Sequence, residues 1–365
     1  MKLGFGLYRH MLNAEHYRFA RQCGATHVVV HLVDYFNQGD QQGENTQPIG
    51  GLDGWGYAGA TPDEAWSLDS LLALKAEING HGLELEAIEN FDPAHWHDIL
   101  LDGPKKREQI EHLKQIIRNV GAAGIPVFGY NFSIAGVCGR CVRHDARGDA
   151  ETVGMEGPCQ ETTAAIKKGM VWNMVYDRHA EEGVLPEITH EEIWQRLEFF
   201  LQELVPVAEA AGVRLAAHPD DPPLPTMRKQ PRLVYQPDMY QRLLDLAPSP
   251  NNGLEFCLGT LAEMTEGDIY DACDRYTRQG NVAYIHFRNV SGKVPHYQET
   301  FIDEGDIDMF KIMAILKKNN FEGVLIPDHT PQMSCAAPWH AGMAYCMGYM
   351  KACLSTLQPT RKSSQ

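Results

Sequence analysis

The chain has 365 residues, 44% of them hydrophobic, with 32 basic against 48 acidic side chains and a formal net charge of −16. That balance excludes a binder of nucleic acid or of an anionic membrane surface, because no basic stripe is available to neutralise phosphates. It leaves a small anionic substrate open, since a metal ion or an arginine can reverse the field inside a pocket. No run of 18 apolar residues marks a membrane span, and the first twenty residues, MKLGFGLYRHMLNAEHYRFA, are too polar for a signal peptide. Nine cysteines without an export signal read as reduced thiols in a cytoplasmic protein.

Short apolar runs recur along the chain. They are Leu3–Tyr8, His27–Val33, Leu83–Glu89, Pro126–Phe132, Val213–His218, Gly253–Cys257, Val282–Phe287 and Gly323–Pro327. Runs of this kind, without strict alternation, suit parallel strands covered on both faces. Amphipathic segments lie between them: Ser67–Asn79 with Ser67 as N-cap, Lys106–Ala122, and Glu192–Ala211. Gly82, Gly124, Gly212 and Gly323 precede strands and read as helix C-caps. Eight strands alternating with helices predict an α/β fold, a single (β/α)8 TIM barrel over residues 1–365. An open doubly wound sheet is the alternative, weakened by the lack of a GxGxxG after the first strand. Two long inserts, residues 37–65 and 133–190, follow strands two and four. Both fall in βα loops, on the face where barrels keep their active sites.

Four metal-competent side chains end four successive strands: His218 in LAAHPDDPP, Cys257 in LEFCLGT, His286 in AYIHFRN and Asp328 in VLIPDHT. Adjacent strand ends surround one mouth, so two imidazoles, a thiolate and a carboxylate can converge on one divalent ion. Singly, each is an ordinary core or hydrogen-bonding residue; four at the equivalent position point to a metal site. A second cluster, Cys138-x2-Cys141-x2-His144 with Cys159, is read either as a structural Zn site or as reduced loop cysteines.

The strings HPDDPP, FCLGT, HFRN, GDIDM and PDH, in this order, resemble the mannonate dehydratase family of xylose-isomerase-like barrels. The similarity extends to AWSLDSLLALKAEI, to Glu89 and to Tyr130–Phe132. It implies Mn2+ held by His218, Cys257, His286 and Asp328, and proton transfer by His329 and a nearby tyrosine, for which Tyr345 is the candidate. It implies removal of water from D-mannonate or a related aldonate to give a 2-keto-3-deoxy sugar acid. Such a reaction needs a cation to offset charge on the carboxylate, a base for the C2 proton and an acid for the C3 hydroxyl. Arg140 and Arg288 are candidates for the substrate carboxylate, with Arg288 equally a candidate for a structural salt bridge. Asp220 or Asp221 is the candidate for sugar hydroxyls, and Glu89 and Asn131 are further substrate-binding candidates. The match departs at Val33–Asp34, where the family has a His pair, at Cys138 for a Trp, at Gln298 for a His and at Thr330 for a Gly. The metal set is intact while substrate-facing positions differ. The expected partner is a small sugar acid, and a homo-oligomer is expected. The alternatives are a metal-dependent sugar isomerase or epimerase on the same barrel, which more often uses carboxylate-rich ligands, and a non-catalytic sugar-binding relative.

Overall fold

The computed structural model describes residues 1–37, 54–59 and 64–357. Eight parallel strands close into a barrel in chain order: β1 (Lys2–Leu7), β2 (His27–His31), β3 (Glu84–Glu89), β4 (Val127–Tyr130), β5 (Arg214–Ala217), β6 (Asn252–Cys257), β7 (Val282–His286) and β8 (Val324–Ile326). Each expected strand is present. The pleat sorts neighbouring residues onto two faces. In β2, Val28 and Val30 join the large core under the helices, whereas Val29 joins Ala87, Val127, Ala216, Tyr284 and Val324 in a second, smaller cluster.

The expected helices form at Leu68–Gly80, Lys106–Ala122 and His190–Ala211. Ser67 caps the first through its hydroxyl, which accepts from Ser70 N at 3.2 Å. The third begins two residues before the sequence pattern, because Thr189 and Glu192 form a capping box. Gly124 and Gly212 end helices at φ +69°, as a C-cap requires. Gly323 does not: Asn320 takes the left-handed position at φ +54°. Gly323 answers to space, since a Cβ there would lie 2.2 Å from Ala283 O. No helix among the described residues is long and apolar enough to cross a membrane.

The loops on the β-strands' C-terminal side carry their own structure. Most of the insert at 37–65 lies outside the described residues; its Gly56–Tyr57 pairs in parallel with Met174–Val175. The insert at 133–190 holds an antiparallel ribbon, Cys141–Ala146 with Ala150–Glu156. His296–Glu299 and Val290–Lys293 extend that ribbon to four strands.

One position ties barrel packing to the mouth above it. A Cβ at Gly129 in β4 would lie 2.1 Å from Tyr284 Oη and 2.8 Å from Glu255 Oε2. Gly129→Ala therefore overpacks the interior beneath the mouth. It is expected to destabilise the fold by about 1–3 kcal/mol, read as a lowered urea midpoint at unchanged slope. An unchanged midpoint would show that the interior has room to spare.

Candidate functional site

The register of the barrel brings the strand ends together. Cys257 pairs directly with His286, and His286 with Ile326, two residues before Asp328. A ligand atom each from His218, Cys257 and His286 lies within 4.8 Å of the others. Asp328 Oδ2 stands 3.7 Å from Cys257 Sγ and 3.7 Å from His286 Nδ1. Both imidazoles are oriented from behind. His218 Nδ1 lies 2.6 Å from Pro219 O, so Nδ1–H donates and Nε2 is left for an ion. His286 Nε2 lies 2.9 Å from Glu255 Oε1 and 3.2 Å from Glu89 Oε2, while its buried Nδ1 has no hydrogen-bond partner. A carboxylate behind an imidazole, with the other nitrogen unclaimed, is the arrangement of a metal-ligating histidine. The residues fit a divalent cation.

Arg288 fixes the rest of the group. Its side chain is wholly buried. It donates to Glu299 Oε1 at 2.6 Å, Asp221 Oδ2 at 3.1 Å, Thr260 Oγ1 at 3.0 Å and Cys257 Sγ at 3.2 Å, and its Nε lies 3.2 Å from Asp328 Oδ2. Gly259 makes this passage: a Cβ there would sit 2.4 Å from the guanidinium. Burial alone would keep the Cys257 thiol protonated. Arg288, then His218 and His286, overrule it and bring the group down to about 5. Burial likewise opposes charge on Asp328, yet His329 and His286 hold its carboxyl well below the usual range. Burial disfavours the His218 imidazolium, but Glu255 and Cys257 raise it to about 9. Glu89 and Glu255 hold His286 well above its ordinary value, against the same burial penalty.

His329 lines the pocket and stands beside Asp328, with its Nε2 3.2 Å from Asp328 Oδ1. Its Nδ1 lies 3.0 Å from Glu299 Oε1, so in the neutral imidazole that a base requires the carboxylate would accept Nδ1–H and the lone pair would sit on Nε2. His329 and Arg288, against burial, hold Glu299 down to about 2. Glu89, Asn131 and Arg140 also line the pocket. The pocket is also lined by aromatic rings: Tyr8, Tyr35, Trp55 and Trp172. Tyr35, Trp55 and Trp172 sit with ring centroids 5.1–5.6 Å apart. Tyr8 directly follows β1, and His31 ends β2 with its Nδ1 3.1 Å from Tyr35 Oη. The sequence reading passed over both, although the strand-end rule that found His218 selects them too.

Several expected positions lie elsewhere. Arg288 does not line the pocket, and its donors go to the protein's own anions, as the structural salt-bridge alternative has it. Asp220 is buried and accepts from Leu233 N at 2.7 Å and Val234 N at 2.8 Å, with Arg232 Nε at 2.7 Å, so it braces a loop. Its neighbour Asp221 lines the pocket instead. Tyr345 is absent from the pocket: it is 36% exposed on the helix Pro338–Thr356, where it bonds Asp303 and Arg147. The Cys138, Cys141, His144 and Cys159 set does not assemble. Cys138 is buried and its thiol is pushed up to about 12 by burial, Cys141 donates to Gly154 O at 3.5 Å, and His144 and Cys159 face outward. Among the described residues the groups able to hold an ion are His218–Cys257–His286 and Glu89–Glu255–His286.

The family model described as D-mannonate dehydratase (UxuA) matches residues 19–353. A mannonate dehydratase of Streptococcus pneumoniae (strain 70585) is 32% identical over 285 residues, covering 73% of this chain and 75% of the relative. The crystal structure of mannonate dehydratase from Streptococcus suis serotype 2 superposes with a TM-score of 0.73 at 25% identity, over 98% of this chain and 94% of that one. A xylose isomerase domain protein from Planctomyces limnophilus superposes with a TM-score of 0.56 at 13% identity, over 98% of each chain, a likeness of fold alone.

The charge states predict how an ion enters. At pH 7 the metal-free site carries a Cys257 thiolate and protonated His218 and His286. Both imidazoles must lose a proton to bind a cation, so loading at pH 7 should release about two protons. Affinity should climb by roughly tenfold per pH unit for each proton displaced, until pH passes the His218 value of about 9. Calorimetric titration in buffers of different ionisation enthalpy counts the protons. A buffer-independent heat would remove this account of the site.

Proposed function

The chain belongs to the mannonate dehydratase family, and on that premise we propose that it removes water from D-mannonate or a related aldonate, giving a 2-keto-3-deoxy sugar acid. As a member of that family it is a hydro-lyase acting on a sugar acid. The observation that carries the proposal is the meeting of two imidazoles, a thiolate and Asp328 at one mouth, with His329 beside them. His218, Cys257, His286 and Asp328 would hold the ion, which we take to be Mn2+. When bound, the ion offsets the charge that builds on the substrate carboxylate as the C2 proton leaves. His329 Nε2, its tautomer fixed by Glu299, takes that proton. Arg140 offers its guanidinium to the substrate carboxylate, and Glu89 and Asn131 face the hydroxyls. Asn131 Oδ1 is buried with no partner, an acceptor for one of them. Tyr35, Trp55 and Trp172 keep water from the reacting carbons.

A second reading, a metal-dependent sugar isomerase or epimerase, draws on the carboxylate-rich group Glu89–Glu255–His286. Supplying purified protein with Mn2+ and a panel of aldonates and uronates separates the two. A 2-keto-3-deoxy product supports the lyase; interconversion without loss of water supports the isomerase. Inertness across the panel would leave a sugar-binding protein. Elemental analysis of the purified protein tests Mn2+ against Zn2+ and Fe2+, which a thiolate suits as well.

Two substitutions test the roles. His329→Asn should keep metal and fold and lose kcat by about 10² or more, the scale of removing an acid or base. Near-normal turnover would move the proton transfer elsewhere. Cys257→Ser should lower metal content without unfolding the barrel, whose core does not depend on the ion; a full complement of metal would remove Cys257 from the ligand set.

A further inference from the structure

Dehydration needs a second proton-transfer group, because the C3 hydroxyl departs as water only when it is protonated. Tyr345 cannot be that group, since its hydroxyl is committed to Asp303 and Arg147 outside the mouth. The candidates that line the pocket with a transferable proton are Tyr8, Tyr35 and His31. Tyr35 Oη is claimed twice, by His31 Nδ1 at 3.1 Å and Asn90 Nδ2 at 3.1 Å. His31 is enclosed between Tyr35 and Glu89, whose carboxylate lies 3.7 Å from His31 Nε2. Tyr8 differs from both. Its hydroxyl has no hydrogen-bond partner among the described residues, although its ring is firmly seated. The rings of His31, Tyr35 and Phe36 hold it at centroid distances of 5.1, 5.9 and 6.0 Å.

Topology puts this hydroxyl in the right quarter. β1 lies between β8 and β2 in the closed sheet, so Tyr8 stands between His329 and His31. Tyr8 lines the same pocket as Asp328, Glu89, Arg140 and His286. A rigid phenol facing the reactants with nothing of its own to bond is a donor waiting for an acceptor.

We propose that Tyr8 is the general acid of the dehydration, giving its phenolic proton to the departing C3 hydroxyl. The inference rests on the aldonate dehydratase reading above. His329 first takes the C2 proton, leaving the electron pair delocalised into the substrate carboxylate; that pair then forms the C2–C3 double bond as the C3–O bond breaks. The leaving oxygen takes the Tyr8 proton and departs as water. The enol product tautomerises to the 2-keto acid by losing its hydroxyl proton and gaining one at C3. The proton held by His329 returns through solvent to the Tyr8 phenolate, and both groups are reset.

The experiment is Tyr8→Phe in the metal-loaded enzyme, with Tyr345→Phe as control. Tyr8→Phe should lower kcat by about 10² or more, with metal content, near-ultraviolet dichroism and KM close to those of the parent. Tyr345→Phe should leave turnover unchanged. A purely structural role would not leave His329 competent. In Tyr8→Phe, the C2 hydrogen of the aldonate should therefore still exchange with solvent deuterium while dehydration is lost. Turnover within threefold of the parent, or exchange lost together with turnover, would overturn the assignment. A parent enzyme that dehydrates no aldonate would sink the function reading; an active parent with an active Tyr8→Phe would sink only Tyr8.

Discussion

A guanidinium with no access to water organises the mouth of this barrel. Removing a charge from water costs several kcal/mol, and only close, well-directed counter-charges offset it. Arg288 finds them in Asp221 after β5, Cys257 at the end of β6, Glu299 on the outer ribbon and Asp328 after β8. Separate stretches of chain must therefore arrive together. Two of those partners, Cys257 and Asp328, belong to the candidate ligand set. The arginine holds them ionised and at fixed distance before any cation arrives. Glu263 marks the limit of this compensation. It is buried with both oxygens unbonded, 3.4 Å from Arg288, and burial with Asp221 nearby raises its carboxyl well above the usual range.

The other half of the site is built by the inserts. Trp172 sits at φ +51° and is locked by its N–H to Ile134 O at 2.8 Å. Trp55 N–H donates to Asn173 O at 2.7 Å, which fastens one insert to the other. Two loops far apart in the chain thus meet as one apolar wall. A dry wall on one side strengthens each electrostatic interaction on the other. Val33–Asp34 and Cys138, where the chain departs from the resemblance, lie in or next to these loops.

The barrel was legible because strand runs, helix caps and loop glycines are local signals. The candidate ligand set was legible because a strand end fixes where a side chain points, and the same rule would have yielded Tyr8 and His31. What stayed open or failed depended on distant partners. Nothing near Arg288 in sequence says that Glu299 and Asp221 will enclose it. Asp220 and Asp221 are neighbours of one type, and only the fold sends one to Leu233 N and the other to the pocket. Tyr345 was placed by its proximity to His329 along the chain, but the intervening helix turns it towards Arg147. The cysteine cluster had ligand types in plausible spacing, yet an extended strand spreads Cys141 and His144 along its length.

Glu299 comes to His329 on a strand, not on a loop, and this constrains how the protein can change. His296–Glu299 is paired on one side with Glu156, Met155 and Gly154 and on the other with Val290–Lys293. Thr152 Oγ1 fastens it further, donating to Glu299 O at 2.8 Å. Alternate residues of a strand face opposite sides, so a slip of one place would present Gln298 or Thr300 to the histidine. Insertions and deletions within Ala150–Glu156 or His296–Glu299 are therefore filtered by parity: single-residue changes there remove the carboxylate from the imidazole, whereas the turn at Arg147–Asp149 is free to lengthen. Divergence among relatives of this chain should accumulate at that turn and spare the paired segments, a pattern imposed by the pleat.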